Sequence, residues 1–356
     1  MAGQSITPGR KITYLDLIND CNRVKDEGED VTGLNPISNE PYTEETELVR
    51  FIARNARGQY RIYGYLPLEV VAHLPWEEWD FQMVDLDGDP VDREFAGADI
   101  VVLKEVESSD SMADLLISPL SHSEFVSAFP ILGMCQETPG HHLPLLGGPP
   151  DIGIPKYLTH LYGAAQHQVH IVLWSTGENG DAEIWARKRT GTGIYDGVFE
   201  SAVVGEIRHG DDEEVTVERM WADGVFHNPD PDTHMSILPQ VSYFTIGAEE
   251  AGHLKGLVDA AIVSCYSAFS PMDWLLKEND VGDCEKYSVE DIQSQLLSGQ
   301  WTPGGALSML RFLTSHNFMT QQDTPDYNSI VSELWRKLPH HRVEECAPDR
   351  SENLHD

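Results

Sequence analysis

The stretch AVVGEIRHGDDEEVTVERMWADGVF, residues 202–226, constrains the fold more than any other part of the chain. An apolar strand turns at Gly205 and Gly210 and enters a helix in which Val217, Met220, Trp221, Gly224 and Val225 recur at i, i+3, i+4, i+7 and i+8. That stripe needs a packing partner, and Glu214, Glu218 and Asp223 fall off it. The result is a strand-loop-helix unit whose acidic "DDEE" start suits a helix N-terminus.

Around this unit the pattern alternates between strands and helices. "ITYLDLINDCNRV" has helical spacing, "LVRFIARN" and "YRIYGYLP" alternate like strands, and "PLEVVAHLPWEEW" opens a helix with Pro67 near its first turn. "ADIVVLKEV" is another strand, giving a small α+β unit over 1–136. Residues 137–156 carry five prolines and four glycines, so 137–157 is expected to be a connector or lid. Beyond it "QVHIVLWS" and "AEIWARKR" predict a hairpin joined by "TGENGD". "QVSYFTI" and "AAIVSCYSAF" are strands, and "SVEDIQSQLLSG", "GGALSMLRFLTSH" and "DYNSIVSELWRKL" are helices, the first with a Ser288/Asp291 capping box. The second domain is therefore placed at 158–343, with a polar, frayed tail at 344–356.

Composition limits the partners. Lys and Arg number 24 against 59 Asp and Glu, a formal net charge of -35, which repels nucleic acid and anionic membranes. No apolar run reaches the length of a spanning helix, and "MAGQSITPGRK" lacks the apolar core of a signal peptide, so a cytoplasmic location is expected. Cys21, Cys135, Cys265, Cys284 and Cys346 are odd in number and form no CxxC pair, which argues against a disulfide framework or structural zinc. The expected partner is a small-molecule substrate.

Several segments together carry a family resemblance: "RIYGYLPLEVVAHL", "QVHIVLW" with "EIWARKR", "YDGVFESAVVGEIRHG", "GQWTPGGALSMLRFL" and "PDYNSIVSELWRKLP". Their order and spacing resemble the Nudix superfamily, in particular its subgroup with an extra N-terminal domain similar to thiamin-pyrophosphokinase-related proteins of fungi and plants. The resemblance implies an α+β fold, an α/β/α sandwich around a mixed sheet behind a small α+β N-terminal domain. It also implies a loop-helix-loop element that holds a divalent metal against a diphosphate.

That element is degenerate. With the family box G-x5-E-x7-R-E-U-x-E-E-x-G-U set at Gly205, the sequence supplies Asp211, Arg219, Met220, Trp221, Ala222, Asp223, Gly224 and Val225. Arg219 is retained, but Met220 and Gly224 stand where oxygen ligands belong, and Mg²⁺ needs oxygen donors in near-octahedral geometry. No cofactor is therefore expected. A Mg²⁺ site enters only under an alternative in which Asp223 and Glu218, with Glu214 or Asp212, rebuild the ligand set. Otherwise Arg219 and Asp223 serve as scaffold.

The remaining candidates each have a structural alternative. His170, on the strand "QHQVHIVLW", is either an acid/base group or a packed core residue. Glu200 matches a position where the relatives carry an aspartate near the substrate cleft, and Glu206 replaces a family glycine beside the loop. These three are the candidate catalytic residues. Arg187 and Arg189 share one strand face and are predicted to clamp a carboxylate or phosphate of a substrate unless they lie on a solvated edge. Trp185, Tyr195 and Arg219 complete the candidate substrate-binding set, with Trp174 and Trp221 as further aromatic lining. His141 and His142 are lid or loop residues, Cys265 is a core residue, "GTGIYDG" is not a Rossmann turn, and no G-x-S-x-G is present.

Three readings follow. The favoured one is a repurposed Nudix-fold enzyme that runs metal-independent acid-base isomerisation, cyclisation or elimination on a largely uncharged molecule, with His170, Trp185, Glu200 and Glu206 around one cavity. The second is a Mg²⁺-dependent diphosphohydrolase of a thiamine-diphosphate-like or prenyl diphosphate. The third is a non-catalytic binding module.

Overall fold

The computed structural model describes residues 13–22, 48–54, 60–73, 81–84, 100–103, 113–114, 116–134, 140–146, 152–191, 193–223, 233–247, 249–270, 284–338 and 340. They divide into two compact units. The larger takes in the described residues of Met1–Val24, His167–Lys255 and Ala260–Leu338; the smaller takes those of Lys25–Gln166, Gly256–Asp259 and Pro339–Asp356.

The first helix, α1 (Tyr14–Cys21), starts at a capping box: Thr13 Oγ1 accepts from Asp16 N–H at 3.1 Å, and Asp16 Oδ2 accepts from Thr13 N–H at 2.9 Å. It falls in the larger unit rather than in an N-terminal domain. Leu17, Ile18 and Cys21 are buried in that unit's core, Cys21 Sγ donates to the Pro303 carbonyl, and Asn22 Oδ1 accepts from Phe244 N–H.

In the smaller unit, β1 (Leu48–Arg54) and β2 (Tyr60–Pro67) pair antiparallel, and β2 leads directly into the short helix α2 (Leu68–His73). β3 (Phe81–Val84) and β4 (Ile100–Leu103) extend the sheet in the order β2-β1-β4-β3, with β4 parallel to β1, so the sheet is mixed. After α3 (Ser123–Ala128) the chain reaches the Pro/Gly-rich stretch, which is an ordered ribbon where it is described. There β5 (His142–Pro144) pairs with β6 (Gly153–Pro155), Leu143 opposite Ile154 and both buried. A two-stranded ribbon leaves free edges, which is where a proline is tolerated. Helix α4 (Lys156–Leu161) follows, and Tyr65 N–H donates to the Gly163 carbonyl at 3.3 Å.

The larger unit is built on a seven-stranded sheet. β7 (Gln166–Thr176) and β8 (Ala182–Lys188) form the predicted hairpin; in its turn Gly177 N–H donates to the Asp181 carbonyl and Gly180 N–H to that of Gly177. β9 (Phe199–Ser201) pairs with β8 and β10 (Val203–Glu206) with β7, so one stretch of chain crosses from strand to strand. Next come helix α5 (Glu213–Asp223), β11 (His234–Ile246), β12 (Val258–Ser270) and β13 (Cys284–Ser288), and the main sheet order is β11-β12-β7-β8-β13. The last helices are α6 (Val289–Leu296), α7 (Pro303–Ser315) and α8 (Tyr327–Glu333). Ser288 caps α6 with Asp291, as its spacing predicts, and Thr302 Oγ1 caps α7 by accepting from Gly305 N–H at 3.1 Å.

The two sheet faces carry separate cores. Val172, Ile184, Ala186, Val263 and Cys265 pack under α7, which is buried along almost its whole length. Val169, Ile171, Leu173, Trp185 and Ala202 lie on the other face with Met220 of α5. Helices therefore cover both faces, an α/β/α arrangement in an α+β chain. The stripe read on α5 is the one that packs: Met220 is 6% exposed, with Val217 and Trp221 partly buried beside it, while Gly224 and Val225 lie outside the described residues.

Candidate functional site

Arg187 and Arg189 do share a strand face, and the anion they clamp belongs to the protein itself. β9 pairs with β8 so that Glu200 lies opposite Arg187. Glu200 Oε1 accepts from Arg187 Nε at 2.7 Å and faces its Nη2 at 2.7 Å, while Oε2 accepts from Arg189 Nη1 at 2.8 Å. Arg189 Nε also donates to the Ile194 carbonyl, which fixes its plane. Burial pushes the 2% exposed Glu200 carboxyl up, but the two guanidiniums outweigh it and hold it below the usual carboxylate range. A carboxylate so paired keeps its charge and is poorly suited to carrying protons.

His170 is also enclosed. It is 2% exposed; Nδ1 lies 3.1 Å from Ser308 Oγ and 3.3 Å from Ser201 Oγ, and Nε2 faces Gln168 Oε1 at 3.4 Å. A Cβ on Gly304 of α7 would come within 3.2 Å of His170 Nε2, so the helix backbone closes directly over the ring. Burial, only partly offset by Glu200, lowers its pKa to about 4. The folded state therefore refuses a proton that the unfolded state accepts below pH ~6.5. Stability should be fully present above pH ~6.5 and fall by about 3 kcal/mol as pH drops toward 4. Urea midpoints measured across that window should show a shallower decline in His170→Gln; equal slopes in the two proteins would contradict this.

The expectation that His170, Trp185, Glu200 and Glu206 line one cavity does not hold. Leu173 lies directly opposite Trp185, so those two side chains share a face, and His170, three residues from Leu173, points to the other. Trp185 belongs to the core under α5, with Lys286 Nζ 5.8 Å from its ring centre, whereas His170 packs under α7. Glu206 is on the His170 face, since Val204 pairs with His170 and Glu206 with Gln168, and its charge acts on both His170 and Arg189. Tyr195 is buried in the loop after β8 with a left-handed backbone, φ 53°, near Arg189.

On α5, Arg219 Nη2 lies 3.3 Å from Asp211 Oδ2 and donates to the Glu206 carbonyl, tying the helix to the preceding loop. Met220 turns its thioether into the core, where a Cβ on Gly205 would meet Sδ at 2.8 Å. Glu218 is exposed, and the side chain of Asp223 lies outside the described residues. Among the described residues no three His, Cys, Asp or Glu side chains are grouped to hold a metal ion. His142 opens the β5 strand, His141 precedes it, and Cys265 is a buried core residue whose thiol burial pushes up to about 12.

The α5 face carries a polar cluster that no sequence motif announces. Ser264 Oγ donates to Glu213 Oε2 at 2.8 Å, accepts from Gln240 Nε2 at 3.0 Å, and lies 3.0 Å from His167 Nε2. Tyr266 OH donates to Glu213 Oε1 at 2.5 Å, and His167 Nε2 is 3.9 Å from Glu213 Oε2. His167, Ser264 with Tyr266, and Gln240 come from the neighbouring strands β7, β12 and β11, and Glu213 is the first residue of α5. Ser264 is fully enclosed, but His167 and Glu213 side chains are 23% and 33% exposed. Burial lowers the His167 pKa, the Glu213 carboxylate opposing, so the imidazole is neutral at pH 7; burial and Glu213 raise that of Tyr266. Period-two alternation from Val169 was the available signal, since it puts His167 on the face opposite His170.

No protein-family model and no curated protein matches the sequence. Solved structures that resemble part of the chain include a Nudix domain and Nudix hydrolases. A C. elegans Ap4A hydrolase in a binary complex is 12% identical, with a TM-score of 0.31, over 44% of this chain and 100% of its own. The Nudix domain of Shewanella oneidensis NrtR, complexed with ADP ribose, is 19% identical, with a TM-score of 0.28, over 38% and 86%. The Nudix hydrolase RenU of M. smegmatis is 12% identical, with a TM-score of 0.29, over 43% and 88%. Likeness at this level transfers no substrate and no residue role to the present chain.

Proposed function

We propose that this chain is an enzyme of small-molecule metabolism that moves protons without a divalent metal, in an isomerisation, cyclisation or elimination of a largely uncharged substrate. The observation that carries the reading is His167: a neutral imidazole, open to solvent, with a carboxylate 3.9 Å from its ring nitrogen. A base has to be deprotonated at working pH and reachable, and His167 meets both conditions where His170 meets only the first. When His167 takes a proton, the Glu213 carboxylate stabilises the imidazolium. Tyr266 and Ser264 hold that carboxylate by hydrogen bonds to both its oxygens. An open carboxylate in a chain of net charge -35 disfavours phosphorylated substrates, and the core packing of Met220 accords with a helix that has given up its ligand role.

The test is turnover of small-metabolite pools in D₂O, with deuterium uptake and product followed by mass spectrometry. Activity should survive EDTA, and His167→Gln should lower it by about 10²-fold or more, the scale of a positioned general base. Mg²⁺-dependent phosphate release from diphosphates, abolished by Glu218→Gln with Asp223→Asn, would instead establish the hydrolase.

A further inference from the structure

We propose that Ser264 is a positioning residue that locks His167 in one tautomer, with the proton on Nε2 and the basic lone pair on Nδ1. This rests on the reading of His167 as the base and names the atom that would act.

The argument is an inventory of protons. A serine hydroxyl has one hydrogen to give and two lone pairs to receive with. The hydrogen is given to Glu213 Oε2, since a carboxylate offers none in return. One lone pair takes Gln240 Nε2–H, an amide donor. The remaining contact, at 3.0 Å, is to His167 Nε2, and the only role left to Ser264 Oγ there is acceptor. A neutral imidazole carries a single N–H, so if Nε2 holds it, Nδ1 holds none.

Two further contacts keep the inventory from reversing. Tyr266 OH donates to Glu213 Oε1, so both carboxylate oxygens are acceptors and the group is anchored across β12. No hydrogen bond to His167 Nδ1 is recorded among the described residues, and the side chain is 23% exposed, so the lone pair meets solvent rather than protein. In the triad logic of serine hydrolases the imidazole takes the serine proton; here the serine proton is already committed to the carboxylate, so Ser264 orients and does not attack.

The tautomer is read directly by ¹⁵N-¹H correlation NMR of histidine-labelled full-length protein near neutral pH, with His167 assigned by its loss in His167→Gln. The wild type should show a protonated Nε2 and a pyridine-like Nδ1. In Glu213→Gln, Tyr266 still donates to the amide oxygen, the amide NH₂ turns to Ser264, and the serine hydrogen is released toward His167. The dominant form should then switch to Nδ1–H. Ser264→Ala removes the acceptor and should give a mixture of tautomers. A wild type already in the Nδ1–H form, or a tautomer unmoved in both folded variants, overturns the lock. The NMR outcome is independent of turnover, so loss of the lock and loss of the proposed activity are distinguishable.

Discussion

Glu200→Gln is expected to destabilise the larger unit by about 3 kcal/mol, the lower end of what breaking a buried ion pair removes. The change keeps shape and volume but takes away the charge to which two guanidiniums are bonded, at 2.7 and 2.8 Å. Arg187 and Arg189 are partly open, with side-chain exposures of 31% and 20%, so water relieves some of the loss. Glu183→Gln is the internal comparison, because its pair with Lys286 at 2.9 Å lies at the surface and should be worth less than ~1 kcal/mol. Urea unfolding at constant m-value measures both. Equal effects would mean that the Glu200 cluster is screened like any surface pair.

Gly163→Ala should be at least as damaging, and the smaller unit should fail to fold or lose ~4 kcal/mol or more, in the range where mutational losses become exceptional. Gly163 has φ +59°, and a Cβ there would sit 1.8 Å from the Tyr65 carbonyl oxygen. Across the same contact, a Cβ on Gly64 would lie 2.0 Å from the Tyr162 carbonyl oxygen. Both obstacles are backbone, so no rotamer change relieves them. Gly140 separates strain from collision: its φ is +85°, but nothing lies within 4 Å of an added Cβ. Gly140→Ala should therefore lose only the ~1–2 kcal/mol of a left-handed backbone. Circular dichroism melts of the three proteins decide the matter, and equal losses at 140 and 163 would refute close packing as the cause.

Elements declared by local chemistry were legible in the sequence. The hairpin follows from "TGENGD", the buried face of α5 from its 3.6-residue period, and the start of α6 from Ser288 and Asp291. What escaped was register. Placing Trp185 beside His170 required the hairpin to be off by one residue, and a slip of one moves every side chain to the opposite face. The common face of Arg187 and Arg189 was readable, but their anion was not, since that depended on β9 returning to β8 with Glu200 opposite Arg187. The His167 cluster was harder still: Ser264 is 97 residues from His167 and 51 from Glu213, so no spacing along the chain connects them.

Helix α1 gives the chain a timing problem. Cys21 bonds to the Pro303 carbonyl across 282 residues, and Leu17 and Ile18 share a core with Leu310 and Ile330. During synthesis at roughly 5–20 residues per second, α1 leaves the ribosome about 15–60 s before its docking surface exists. An eight-residue helix does not hold itself together in water, so over that interval its apolar face has nothing to shelter it. A segment made early is thus secured late, and a nascent chain halted before residue 303 would display Leu17 and Ile18 to whatever binds exposed hydrophobic sequence in the cell.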